Sequence, residues 1–271
     1  MDTNSKIDRW SDRLNPIVVK ELRQTVRSGA LLTALLSSTG VVMACLLVQL
    51  AQYGSNIVLD RPIGRELFML LVQVLFAFCV IVIPLNAAHR LFRERDLHNY
   101  DLFFVSPLTA PQIIRGKLIS SGYEAFLFFV ICAPFLFLTS LFRGVDVTTI
   151  LVCLLFGFVL VIAATQVAIF VGCLNLHRAV KSILGIMALG VTVPACLAIF
   201  YGVSTTVSRN GALHAMEMIV SGGGIALVLI IGSVIAVLHG LSIAMIANVS
   251  GGGGYVNVGA DNEWYRNGTE F

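Results

Sequence analysis

The chain predicts an all-α polytopic membrane protein, and three observations carry that reading. Apolar residues fill 57% of its 271 positions and charged residues only 12%, where a soluble domain carries about 25% charge. The apolar residues gather into six runs of roughly 20, the length a helix needs to cross a bilayer. None of these runs alternates with period two, which excludes an outer-membrane barrel; only helices and closed barrels satisfy the backbone in hydrocarbon.

The N-terminal stretch MDTNSKIDRWSDRLNP is polar and lacks a small-residue cleavage site before the first apolar run, so no cleaved signal peptide is expected. Within residues 1–29, Asn15 can cap a helix whose first residue, Pro16, loses nothing by lacking an N–H. At 100° per residue Val18, Leu22 and Val26 share one side, while Lys20, Arg23 and Arg27 share another, beside Glu21. That pattern predicts an amphipathic helix lying at the interface; an ordinary basic flank of the first span is the alternative.

The six spans are expected near 30–53, 67–85, 118–142, 149–174, 183–203 and 223–247, which sets a transmembrane domain at 30–247 with a long connection at 86–117. Pro84, Pro134 and Pro194 fall inside spans, where each removes a backbone hydrogen bond and favours a kink. Residues 204–222 carry Leu213, Met216, Ile219 and Val220 at helical spacings, so a short helix dipping into the outer leaflet and a plain surface loop both stay open. Gly222 to Gly224 would form the joint into the last span. The segment 248–271, with its glycine run and no apolar periodicity, reads as a flexible tail.

Lysines and arginines orient the bundle. If the N-terminus is cytoplasmic, the inner segments hold Lys6, Arg9, Arg13, Lys20, Arg23, Arg27, Arg90, Arg93, Arg95, Arg115, Lys117, Arg178, Lys181 and Arg266, leaving Arg61, Arg65, Arg143 and Arg209 outside. Such a bias predicts a multi-pass protein of the cell (inner) membrane with both termini in the cytoplasm, its basic loops near anionic lipid. A net charge of +3, in clusters between apolar runs, gives nucleic-acid binding little support.

Chemistry is scarce along the chain. The six cysteines lie in or beside apolar runs with no C-x-x-C pair, and read as buried hydrophobes. Inside the spans the polar residues are Gln49, Gln73, Glu124, Gln166 and His239. Glu124 is expected to snorkel or to pair with Lys117, and His239 to hydrogen-bond between helices. No H-E-x-x-H, G-x-S-x-G or paired-aspartate motif occurs, and RGKLIS holds only the tail of a phosphate-binding loop. No catalytic, cofactor-binding or metal residue is therefore assigned, and the chain is expected to lack an ATPase site of its own.

The charged and aromatic island RERDLHNYDLFFVSPLTAPQ, residues 93–112, has its own punctuation. Asn99 can cap a short helix over Tyr100 to Val105, with Asp101 complementing the dipole at its start. Ser106 and Pro107 stop it, and Thr109 with Gln112 has capping-box spacing for a further helix. Tyr100, Phe103 and Phe104 would share one face. They either rest on the bundle as interfacial aromatics or dock in the groove of a cytoplasmic partner.

These two stretches resemble the permeases of type-2 ABC transporters. Asn15, Pro16, Lys20, Glu21 and Arg23 match that family's elbow pattern; Glu94, Arg95, Asp101, Leu102, Ser106, Pro107, Leu108, Ile113, Gly116 and Lys117 match its loop, with His98-Asn99 standing where the pattern has Gly-Thr. The resemblance implies a coupling helix between the second and third spans, with Glu94, Asn99, Tyr100, Asp101, Leu102, Phe103 and Phe104 contacting a separate cytoplasmic ATP-binding subunit. It also implies a second permease copy or related permease, ATP and Mg held by the partner ATPase rather than this chain, and export as the usual direction. A non-transporting scaffold or anchoring subunit that uses the same loop to hold a partner is the alternative.

Overall fold

A computed structural model of the chain describes residues 29–53, 63–96, 110–142, 144–174, 178–220 and 222–252, together with Arg23. Among the described residues the structure is all helical. The elements are α1 (Gly29–Tyr53), α2 (Ile63–Asp96), α3 (Ala110–Ser140), α4 (Val147–Cys173), α5 (Arg178–Val220) and α6 (Gly222–Gly252). Each contains a stretch long and apolar enough to cross a membrane. The shortest, α1 with 25 residues, is about 38 Å long at 1.5 Å per residue and exceeds a hydrocarbon core of about 30 Å.

Three helix ends differ from the sequence reading. The second span was expected to end at 85, yet α2 runs on to Asp96; the helix announced by Thr109 and Gln112 is continuous with the third span expected from 118, so α3 begins at Ala110. The flank of α2 holds no glycine or proline, and in that of α3 Pro111 sits in the first turn, where its missing N–H is not needed, so both helices propagate beyond their apolar stretches, through Gly116 as well. The start at Ala110 follows Thr109 directly, where the capping-box spacing places it. At the other end of the bundle, residues 204–220 are neither a separate short helix nor a surface loop: α5 continues unbroken for 43 residues. Hydroxyls there bond to carbonyls one turn back, Ser204 to Tyr201 at 3.1 Å and Thr206 to Gly202 at 2.8 Å, so polarity did not stop the helix. Likewise α6 extends through Ser250 to Gly252, past the end expected at 247.

α3 and α4 are joined by a tight turn. Phe142 N–H donates to the Thr139 carbonyl at 3.2 Å, and Gly144 takes φ 107°, a left-handed conformation that favours glycine. Asp146 then enters α4 extended, its carbonyl accepting from Ile150 N–H at 3.2 Å. Gly64 N–H donates to the Phe142 carbonyl, tying the start of α2 to this turn.

The core lies where α2, α3 and α4 meet, with α1 packed on α2 and α3, and with α5 and α6 packed on α4. Phe76 of α2 and Phe200 of α5 stack with centroids 4.0 Å apart. Gly157 of α4 makes room for them: a Cβ there would stand 3.0 Å from Phe200 and 3.4 Å from Phe76. A second, smaller cluster of Ala87, Leu91, Ile114, Ile169 and Cys173, covered by Leu118, Ile243 and Ile246, closes the end from which residues 97–109 leave. α5 and α6 keep large apolar side chains such as Ile186, Val191, Leu229 and Ile230 exposed, as helices facing lipid do.

Candidate functional site

Two regions bear on function. The first is the connection between α2 and α3. Because both helices project beyond their apolar stretches, about five turns of helix, over residues 86–96 and 110–117, flank residues 97–109. Glu94 lies in the last turn of α2. Asn99, Tyr100, Asp101, Leu102, Phe103 and Phe104 lie outside the described residues, as do Pro16, Lys20, Glu21 and Arg27 of the expected elbow; Arg23 is helical and exposed.

The second region is polar and buried and adjoins the cluster that closes this end. Glu124 of α3 is 1% exposed and forms an ion pair with Arg90 of α2. The sequence reading had it snorkelling or paired with Lys117; the register between α2 and α3 brings Arg90 to it. Lys117, Ser120, Ser121 and Glu124 are all buried on α3. On α4, Gln166 is wholly buried, and both its amide oxygen and nitrogen lack a hydrogen-bond partner among the described residues. Ser120 Oγ and His239 Nδ1 are in the same position. His239 was expected to hydrogen-bond between helices; its Nδ1 makes no such bond among the described residues, and its neighbour across the gap is Arg115 of α3, close enough to act on it electrostatically.

Toward the opposite end, side-chain contacts cross between α2 and α5. Gln73 of α2 donates to Ser204 Oγ of α5 at 2.9 Å, and Ser208 approaches Met69 Sδ at 3.4 Å. These contacts and the Phe76–Phe200 stack hold α5 to α2. Nearer the 97–109 end the two helices leave between them an apolar crevice of about 200 Å³, lined among others by Leu85, His89, Val167, Val171, Gly185 and Thr192.

The six cysteines are free thiols, buried or half-buried. Among the described residues, no three of His, Cys, Asp and Glu converge as metal ligands. The polar residues of the interior were visible in the sequence one by one, but nothing in their spacing announced that Arg90 would join Glu124 or that Gln166 and His239 would stand at one depth. Comparison with protein-family models gives no match for this chain, and comparison with characterised proteins gives none either.

Proposed function

We propose that this chain is the membrane-spanning permease subunit of an ATP-driven ABC transporter, working as an exporter with a separate cytoplasmic ATP-binding subunit. The observation that carries the reading is the island at residues 93–112, whose residues match the family's loop pattern and which hangs between two helices that continue into the bundle. A rigid lever of this kind suits force transfer: displacement of the loop would move α2 and α3 together, because the Arg90–Glu124 pair couples them. On this reading the 97–109 end is cytoplasmic, the elbow containing Pro16, Lys20 and Arg23 lies on the inner leaflet, and the weakly buried α5 and α6 face lipid or a second permease.

Phe103 and Phe104 would fill the partner's groove while Glu94 and Asp101 orient the helix at its rim. An aromatic anchor at such an interface is worth about 2 kcal/mol or more, so Phe103→Ala/Phe104→Ala should weaken association by well over about tenfold. Glu94→Ala should matter less, since a solvated rim ion pair contributes roughly 0–1 kcal/mol. The test is co-purification of a P-loop ATPase with the chain, together with stimulation of its hydrolysis in reconstituted membranes, compared at equal abundance of parent and variant. Association without stimulated hydrolysis would identify a scaffold; unchanged association in the double variant would place the aromatics on the chain's own bundle.

A further inference from the structure

Several buried hydroxyls of this bundle bond to a carbonyl on their own helix, as Ser38 does to Leu35, Thr139 to Leu136, Thr165 to Val161 and Ser242 to Leu238. Gln73 finds Ser204 across a helix interface. Three residues with buried, unmatched side-chain atoms lie within about two turns of the small cluster. Gln166 is one turn from Ile169 and two from Cys173, on the α4 face that meets the small cluster; His239 is one turn from Ile243 and two from Ile246 on α6. Ser120 follows Leu118 on α3 and lies one turn from Glu124, itself paired with Arg90. The chain directions of α3, α4 and α6 put all three residues on the same side of that cluster, deeper in the membrane. Four of their side-chain atoms, Ser120 Oγ, Gln166 Oε1, Gln166 Nε2 and His239 Nδ1, are buried with no hydrogen-bond partner among the described residues.

Hydrocarbon supplies no partner for such atoms, and a polar atom left unmatched there is strongly unfavourable. A fold that matches several of its buried hydroxyls with local carbonyls gains nothing from leaving a whole amide unmatched. Internal water is the ligand whose chemistry fits, because it donates and accepts and the layer offers both a donor in Gln166 Nε2 and acceptors in Gln166 Oε1 and Ser120 Oγ. A way in exists at the 97–109 end: Arg115 is exposed on α3, and His239 beside it is half-exposed. We propose that Ser120, Gln166 and His239 form a hydrated internal site, a layer of bound water between α3, α4 and α6 that adjoins the Arg90–Glu124 pair. The site breaks the apolar interior at that depth, so α3 can shift against α4 there while water keeps its polar groups satisfied.

The test uses the full-length chain in detergent micelles, which leaves both ends of the bundle reachable. In a version without native cysteines, Ser120→Cys and Gln166→Cys are labelled with a small hydrophilic methanethiosulfonate and compared with a version retaining Cys153 alone, a thiol 1% exposed in the apolar core. A hydrated thiol ionises and reacts, so labelling at 120 and 166 should run about tenfold or more faster than at Cys153. Gln166→Leu in the otherwise native chain gives an independent sign. If water satisfies the amide, leucine loses those bonds and the unfolding midpoint falls; if the amide is dry, leucine relieves an unmatched group and the midpoint rises. Labelling no faster than at Cys153, or a raised midpoint for Gln166→Leu, overturns the proposal.

Discussion

Replacing Gly172 by alanine probes how closely α2 and α4 approach. A Cβ at Gly172 would overlap Leu91 Cδ2 and stand 3.1 Å from its Cγ and 3.4 Å from its Cβ. Leu91 is 5% exposed within the small cluster, so swinging it aside displaces Ile114 or Cys173. Alanine in a helix gains about 0.5–1 kcal/mol over glycine, while overpacking a filled site costs about 1–3 kcal/mol. The expected net is a loss of about 1–2 kcal/mol. Gly190→Ala and Gly240→Ala, where nothing lies within 4 Å of the new methyl, keep only the gain and serve as controls. Thermal unfolding in one detergent reads the difference, at about 2–4 °C per kcal/mol for a chain of this size. Leu91→Ala should cost about 1 kcal/mol less in the Gly172→Ala background than alone, because the methyl occupies part of the space leucine leaves. A Gly172→Ala midpoint at or above the parent's, matching the two controls, would refute the close approach of these helices.

Gln73→Leu and Ser204→Ala each break the 2.9 Å bond between α2 and α5; each should cost about 0.6–1.7 kcal/mol, and the double variant no more than the larger single, measured by the same unfolding midpoint. Topology is read with single cysteines in a cysteine-free chain: Arg209→Cys, exposed near the far end of α5, should react with an impermeant thiol reagent applied to whole cells, and Ser106→Cys only after permeabilisation. The opposite pattern would place the 97–109 end outside and remove the basis for a cytoplasmic partner. Purified alone, the chain should neither bind nor hydrolyse ATP, because a phosphate cradle needs a glycine-rich loop ending in lysine and the sequence has none; saturable hydrolysis by the isolated chain would contradict this.

Six membrane-spanning helices were legible from the sequence because crossing a bilayer is a local requirement: a run of about 20 apolar residues meets it whatever its neighbours are. The start of α3 at Ala110 was legible too, through Thr109 and Gln112. Where α2 and α5 end was not: the flank of α2 is polar without a breaker, and α5 continues past Gly211 through a polar stretch where hydroxyls like Ser204 and Thr206 bond back to their own carbonyls. Partners were decided only by the tertiary structure. Lipid tails are as apolar as leucine, so hydrophobicity does not mark which face of a membrane helix meets another helix. That is why Glu124 meeting Arg90, Gly157 receiving the Phe76–Phe200 stack, and Gly172 lying against Leu91 depended on helix register and small residues, whereas the number of spans depended on composition alone.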